Sequence, residues 1–88
     1  MTKLSEAELK VMKILWKHNE LTSREMFNLL YDDTQWSIKT VRTMLKRLSN
    51  KDIVSINIDK EEFTYSFLIN EDEYIPHMEL YSMVQNDL

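Results

Sequence analysis

The same local signal opens a helix three times between Leu4 and Val41. In Leu4-Ser5-Glu6-Ala7-Glu8-Leu9, Ser5 is placed to cap a first turn. Glu8 at the third helical position is placed to answer it, and Leu4 and Leu9 form an apolar staple across the start. Leu9, Met12 and Trp16 then recur at helical spacing with Val11, Ile14 and Leu15 beside them, which predicts a helix buried over a broad face and ending near His18-Asn19. The box is repeated at Leu21-Thr22-Ser23-Arg24-Glu25-Met26, with Thr22 capping, Glu25 answering and Leu21 facing Met26, so a second helix is expected from Ser23 to about Tyr31. Asp32-Asp33-Thr34-Gln35 interrupts the apolar pattern before Ser37 caps a third helix, with Trp36 ahead of it to pack on Val41. Three capped starts so close together define a tri-helical unit. Its second and third helices, joined by a short polar turn, have the order of a helix-turn-helix.

The third helix carries the strongest chemical signal. Ile38, Val41, Leu45 and Leu48 fall on one stripe, whereas Lys39, Arg42, Thr43, Lys46 and Asn50 share another face. Between Thr34 and Lys51 there are five bases (Lys39, Arg42, Lys46, Arg47, Lys51) and no acid, in a chain whose formal charge is −4. Residues 52–88 hold one base and nine acids, so the chain is polarised along its length. A net-acidic chain argues mildly against nucleic acid, but the field at the binding surface matters more than the total. A helix with an apolar side and a basic, hydrogen-bonding side suits a major groove, where Arg, Lys, Asn and Thr reach base edges and phosphates. The plainer alternative is a basic face that is merely solvated.

After Lys51-Asp52 the period changes from helical to alternating. Ile53, Val54, Ile56 and Ile58 form a β-branched run, and Phe63, Tyr65 and Phe67 alternate with Thr64, Ser66 and Leu68, predicting two strands with a turn at Asp59 to Glu62. A hairpin after a helix-turn-helix is a winged helix. The expected fold class is therefore α+β, a winged helix-turn-helix of three helices and a β-hairpin wing, with a C-terminal helix following. The chain has no glycine to make a tight two-residue hairpin, and the tip, Asp59-Lys60-Glu61-Glu62, repels phosphate unless Lys60 alone faces it, which makes the wing a weak contact. Asn70 can cap a further helix with Glu71, Asp72 and Glu73 near its start, but Pro76 places the more regular part later. Ile75, Met78, Leu80, Tyr81, Met83, Val84 and Leu88 leave an apolar edge for a second copy. The expected division is a winged-helix domain over residues 1–70 and a C-terminal helical segment over 71–88, the start of a linker or dimerisation region.

Other chemistries are poorly supported. Eighty-eight residues make one small domain, and with no cysteine there is no disulfide frame, thiolate metal site or thiol nucleophile. The start lacks an apolar signal-peptide region and no window has the apolar length of a membrane span, so a cytoplasmic protein without membrane association is expected. His18 and His77 stand far apart without the spacing of a metal site, and Met12, Met26 and Met44 lie on apolar stripes as core filler. The acid pairs Asp32-Asp33 and Glu61-Glu62 read as solvated turn residues. With no phosphate loop or nucleophile motif, no enzyme, catalytic residue, metal or cofactor is expected.

The segments LSEAELKVMKILW, TSREMFNLL and TQWSIKTVRTMLKRLSNKDIV resemble the bacterial repressors that control penicillinase and methicillin-resistance genes, with relatives that control copper-transport operons. The resemblance runs from about Leu4 to Tyr74. It implies a dimeric winged-helix repressor that binds double-stranded DNA at an inverted-repeat operator, with TACA/TGTA-type half-sites in many members. On matching positions, Lys39, Thr40, Arg42 and Thr43 take the base-reading end of the recognition helix. Trp36 and Ser37 set the helix start on the DNA backbone, and Arg47 holds phosphate or buttresses the fold. Lys46 on the same face and Lys60 on the wing complete the expected DNA-binding set. Members of this family often carry proline where Ile38 stands and glycine where Asp52 stands, and their wings are commonly basic. They continue into a C-terminal dimerisation region that holds the inducing cleavage site in the antibiotic-resistance branch and metal-binding cysteines in the copper branch. The expectation is either a DNA-binding piece of a longer repressor or a short member that forms a homodimer weakly or through residues 74–88. The competing reading is a winged-helix module for protein contacts that does not bind DNA.

Overall fold

The protein is represented by a computed structural model that describes residues 4–58 and 61–74. The elements follow one another as α1 (Glu6–His18), β1 (Glu20–Thr22), α2 (Ser23–Thr34), α3 (Ile38–Asn50), β2 (Val54–Ile58) and β3 (Phe63–Phe67). Both capping boxes form. Ser5 and Thr22 each accept the backbone N–H of the glutamate three residues on at 3.1 Å, and each receives that carboxylate on its own N–H at 2.9 Å. Ser37 caps α3 through its hydroxyl, which accepts the Thr40 N–H at 3.2 Å.

The helix ends explain how a chain without glycine turns its corners. Asn19, Gln35 and Asp52, one after each helix, have φ of 71°, 57° and 61°. Asp52 occupies the left-handed position of a Schellman motif: its N–H reaches Ser49 O at 3.0 Å and the Ile53 N–H reaches Leu48 O at 3.0 Å. Leu48 and Ile53, the apolar pair that such a motif brings together, are both buried. A side chain at a left-handed position is disfavoured because its Cβ crowds the following carbonyl, so these three corners carry strain that packing must offset.

α2 runs to Thr34, beyond the expected end near Tyr31. Asp32 and Asp33 lie on the solvated side of its last turn, where polar residues can stay helical. The Thr34 hydroxyl donates to Leu30 O at 2.8 Å and accepts the Trp36 N–H at 3.2 Å, so it ties the end of α2 to the turn before α3.

The sheet has a strand that the periodicity did not predict. β1 pairs antiparallel with β3 in the order β1-β3-β2, with Leu21 opposite Tyr65 and Thr22 opposite Thr64. β2 and β3 pair from Val54 opposite Phe67 to Ile58 opposite Phe63. One sheet face is apolar (Val54, Ile56, Ile58, Phe63, Tyr65, Phe67) and the other polar, as the period of two dictates. On the polar face Glu20 accepts from Thr64 at 2.8 Å and from the Asn57 amide at 3.1 Å, linking β1 to both wing strands. This fold is a winged helix-turn-helix.

The core joins all three helices and the sheet: Val11, Met12 and Leu15 of α1, Met26 and Leu30 of α2, and Val41, Leu45 and Leu48 of α3 meet Leu21, Ile53, Val54 and Tyr65. Asn70 forms the cap that was expected of it, accepting the Glu73 N–H at 3.0 Å, and a helical turn begins at 71. Tyr74 is then drawn into the core beside Trp16, with ring centroids 5.8 Å apart, and its hydroxyl accepts the Leu4 N–H at 3.3 Å. Trp16 meanwhile donates its indole N–H to Ile69 O at 2.9 Å. The helical edge expected after Pro76, with His77, lies outside the described residues, as does Lys60.

Candidate nucleic-acid interface

Val41, Leu45 and Leu48 have no solvent exposure, which fixes the rotation of α3 about its axis. Lys39, Arg42, Thr43, Lys46, Arg47 and Asn50 are then exposed, while Thr40 and Trp36 are half-buried and Ser37 is exposed at the helix start. The expected site residues on α3 therefore do share one outward surface with the capping turn.

Several of these side chains are already oriented within the protein. Arg42 donates from Nε to the Ser23 hydroxyl at 3.3 Å, which braces it against the start of α2. Arg42 is otherwise exposed and lines the cleft beside α3, and a guanidinium there can meet a base edge or a phosphate. Thr43 donates its hydroxyl to Lys39 O one turn back at 3.0 Å, so outward it offers a methyl group and acceptor lone pairs. The Ser37 and Thr40 hydroxyls lie 3.2 Å apart. Unlike α1 and α2, α3 has no acid in its first turn. Its positive dipole end is therefore not answered from within the chain, an arrangement that favours an incoming anion.

Lys51, the last base of the stretch, is used differently. Its Nζ lies 2.7 and 3.0 Å from the two carboxylate oxygens of Glu8, a residue with only 5% exposure. Burial by itself pushes the Glu8 carboxyl up, but hydrogen bonds from Lys51 and Ser5 and the lysine charge outweigh it and hold it below the usual value. This pair fastens the C-terminal end of α3 to the first turn of α1, and takes Lys51 out of the outward-facing set.

A cleft of about 680 Å³ runs between α3, the start of α2 and the wing. Arg24, Arg42, Lys46, Ser49 and Asn50 line its helical wall, and Ile56, Phe63, Glu61 and Glu62 line the wing side. Arg24 was not among the expected site residues. The available signal was a base in the first turn of a helix, where the dipole disfavours it and a function for it is worth seeking.

A helix-turn-helix with a wing and an acid-free basic third helix defines the class of winged-helix proteins built like DNA-binding domains. The penicillinase repressor family profile matches residues 4–87, and the chain belongs to that family. It is 39% identical over 72 residues to a penicillinase repressor of Bacillus licheniformis, a match covering 82% of this chain and 56% of that protein. The chain thus spans about half the length of the curated relatives it matches. The fold superposes on the solution structure of the DNA-binding domain of the repressor BlaI with a TM-score of 0.72 and 38% identity, covering 85% of this chain and 95% of that one. It also matches the Bacillus licheniformis BlaI monomeric form in complex with the blaP half-operator, with a TM-score of 0.72, 38% identity and coverage of 84% and 90%.

Proposed function

We propose that this chain is a DNA-binding transcriptional repressor that acts on an inverted-repeat operator, with α3 in the major groove. The observation that carries this reading is the outward surface of α3, where Lys39, Arg42, Thr43, Lys46 and Arg47 are all exposed and no acid interrupts them. Lys39, Thr40, Arg42 and Thr43 near the helix start are assigned to base edges. Trp36 and Ser37 set the helix start on the backbone, and Lys46 and Arg47 hold phosphates. Lys60 is assigned a minor backbone contact from the wing. Residues 1–70 are assigned to the reading domain, whose core also takes in Tyr74, and the chain up to 88 leads toward a dimerisation region that joins two such domains across the operator. No helix among the described residues is long and apolar enough to cross a membrane, in keeping with a protein that works on DNA in the cytoplasm.

The related monomeric BlaI on a half-operator makes a single half-site the appropriate first probe. Binding to a labelled duplex carrying one TACA/TGTA half-site, the full inverted repeat or a scrambled sequence is measured by fluorescence anisotropy at several salt concentrations. Preference for the half-site is expected. With Lys46 and Arg47 each neutralising one phosphate and Lys60 adding a weaker contact, log affinity should fall against log salt with a slope of roughly −2 to −3. A sigmoidal protein dependence on the full repeat marks dimerisation on the operator. Salt-insensitive or absent binding to all three duplexes rejects the proposal in favour of a protein-contact module.

A further inference from the structure

The cleft beside α3 sets two acids of the wing against three bases of the reading helices. Glu61 and Glu62 line one side, and Arg24, Arg42 and Lys46 the other. The ion pairs formed among the described residues are Lys10–Asp33 and Lys51–Glu8, so these three bases make no close salt bridge with the wing acids. They instead face two fixed negative charges across an open cleft, without the short contacts that would consume the bases.

This geometry follows from the sheet. β3 is held between β1 and β2, and its first residue, Phe63, pairs with Ile58. Glu61 and Glu62 immediately precede that pair, so the register delivers them to the cleft. Phe63 is 54% exposed and Ile56 38% exposed on the apolar sheet face that continues into the cleft. Apolar walls of low polarisability lengthen the reach of charges facing one another across a gap.

We infer that Glu61 and Glu62 act as an intramolecular competitor for phosphate, lowering the DNA affinity of the recognition surface by partly neutralising Arg24 and Lys46, the cleft bases not assigned to a base edge. This rests on the DNA-binding reading above and assigns the wing an opposing part in it. The effect is electrostatic, so it acts on every DNA sequence alike: the acids set the strength of backbone attraction while base preference stays with α3. Weak attraction to arbitrary DNA leaves a larger share of the binding energy to base contacts, and the ratio of operator to non-operator affinity is preserved at lower overall occupancy.

The test compares the full chain with the Glu61→Gln/Glu62→Gln variant and a charge-matched control, Glu71→Gln/Asp72→Asn, whose altered residues do not line the cleft. Two readouts are taken. In the free protein, NMR resonances of the Arg24 side-chain Nε–H and the Lys46 ε-methylene report the wing acids without any DNA; they are expected to shift in the wing variant and to stay in place in the control. Anisotropy with operator and scrambled duplexes at low salt is expected to give roughly ten-fold tighter binding to both for the wing variant and less than about two-fold for the control, with the gain shrinking as salt rises. The inference is overturned if the resonances do not respond, if they respond while DNA affinity is unchanged, or if the control gains as much as the wing variant. Resonances that shift in a protein that binds no duplex overturn the DNA-binding reading, and competition for DNA with it, while leaving the wing-to-helix attraction in place.

Discussion

Replacing Lys51 with methionine isolates the contact that closes the helical body. The substitution keeps an unbranched apolar stem of nearly the same length but leaves Glu8, 5% exposed, without its cation. Breaking a fully buried ion pair costs about 3 to 5 kcal/mol, whereas exposed pairs are worth about 0.2 to 1 kcal/mol. Here one partner is buried and the lysine side chain keeps 34% exposure, so an intermediate loss of about 2 kcal/mol is expected. For a domain of this size that corresponds to a fall in Tm of roughly 8 to 16 °C. Glu8→Gln retains the capping hydrogen bond to the Ser5 N–H, because glutamine serves that position as well as glutamate does. Adding it to Lys51→Met should therefore recover most of the loss, and the coupling is read from the double-mutant cycle. The pH dependence has a definite sign. With its folded pKa lowered, Glu8 binds protons more readily in the unfolded chain, so its contribution is present above the ordinary value of 4.5 and is lost as pH falls below that through the folded pKa. Urea titrations followed by circular dichroism should show this part of the acid destabilisation in the wild type and its absence in Glu8→Gln. A Lys51→Met protein within about 0.5 kcal/mol of the wild type at neutral pH would refute the reasoning, placing the lysine in solvent and the carboxylate in water's care.

Arg42→Ala should cost about 1 to 3 kcal/mol of operator affinity and relax preference at one base position, measured by anisotropy across single-base operator variants. An equal loss on every sequence makes Arg42 a phosphate contact. Leu45→Ala, at a position with no exposure, should lower unfolding free energy by about 2 to 5 kcal/mol in urea titrations; unchanged stability means that the rotation of α3 is misassigned. Asp52→Gly relieves a left-handed residue with φ of 61° and should raise stability by about 1 kcal/mol, seen as a higher Tm. A lower Tm would show that the aspartate side chain contributes more than its backbone costs.

What was legible in the sequence was mostly what is local. Ser5 with Glu8 and Thr22 with Glu25 are three residues apart, and their hydrogen bonds follow from chemistry within a single helical turn. The outward face of α3 was legible for a related reason, since Ile38, Val41, Leu45 and Leu48 leave only one side for the bases. β1 was hidden because Glu20–Thr22 is too short to display alternation, and its identity as a strand depends on Tyr65 across the fold. The Glu8 to Lys51 pair joins residues 43 positions apart and has no periodic signature. Arg24 reads as an ordinary helix-surface base until the wing is folded over beside it. The corner residues show a further limit: Asn19 and Gln35 give no glycine signal, yet both take positive φ where a helix ends.

Thr22 is both the last residue of β1 and the cap of α2, so the strand that pairs with the wing and the helix-turn-helix share a residue. With Thr22 opposite Thr64 on β3, there is no free linker along which the wing could swing relative to α3. The spacing between reading helix and wing thus behaves as a fixed gauge. On the DNA-binding reading proposed above, a domain of fixed helix-to-wing spacing would favour a duplex whose backbone strands match that separation, and a duplex of different local shape would have to deform to be bound. The cost of such deformation depends on DNA sequence, so on the same reading discrimination would extend to base pairs that no side chain touches.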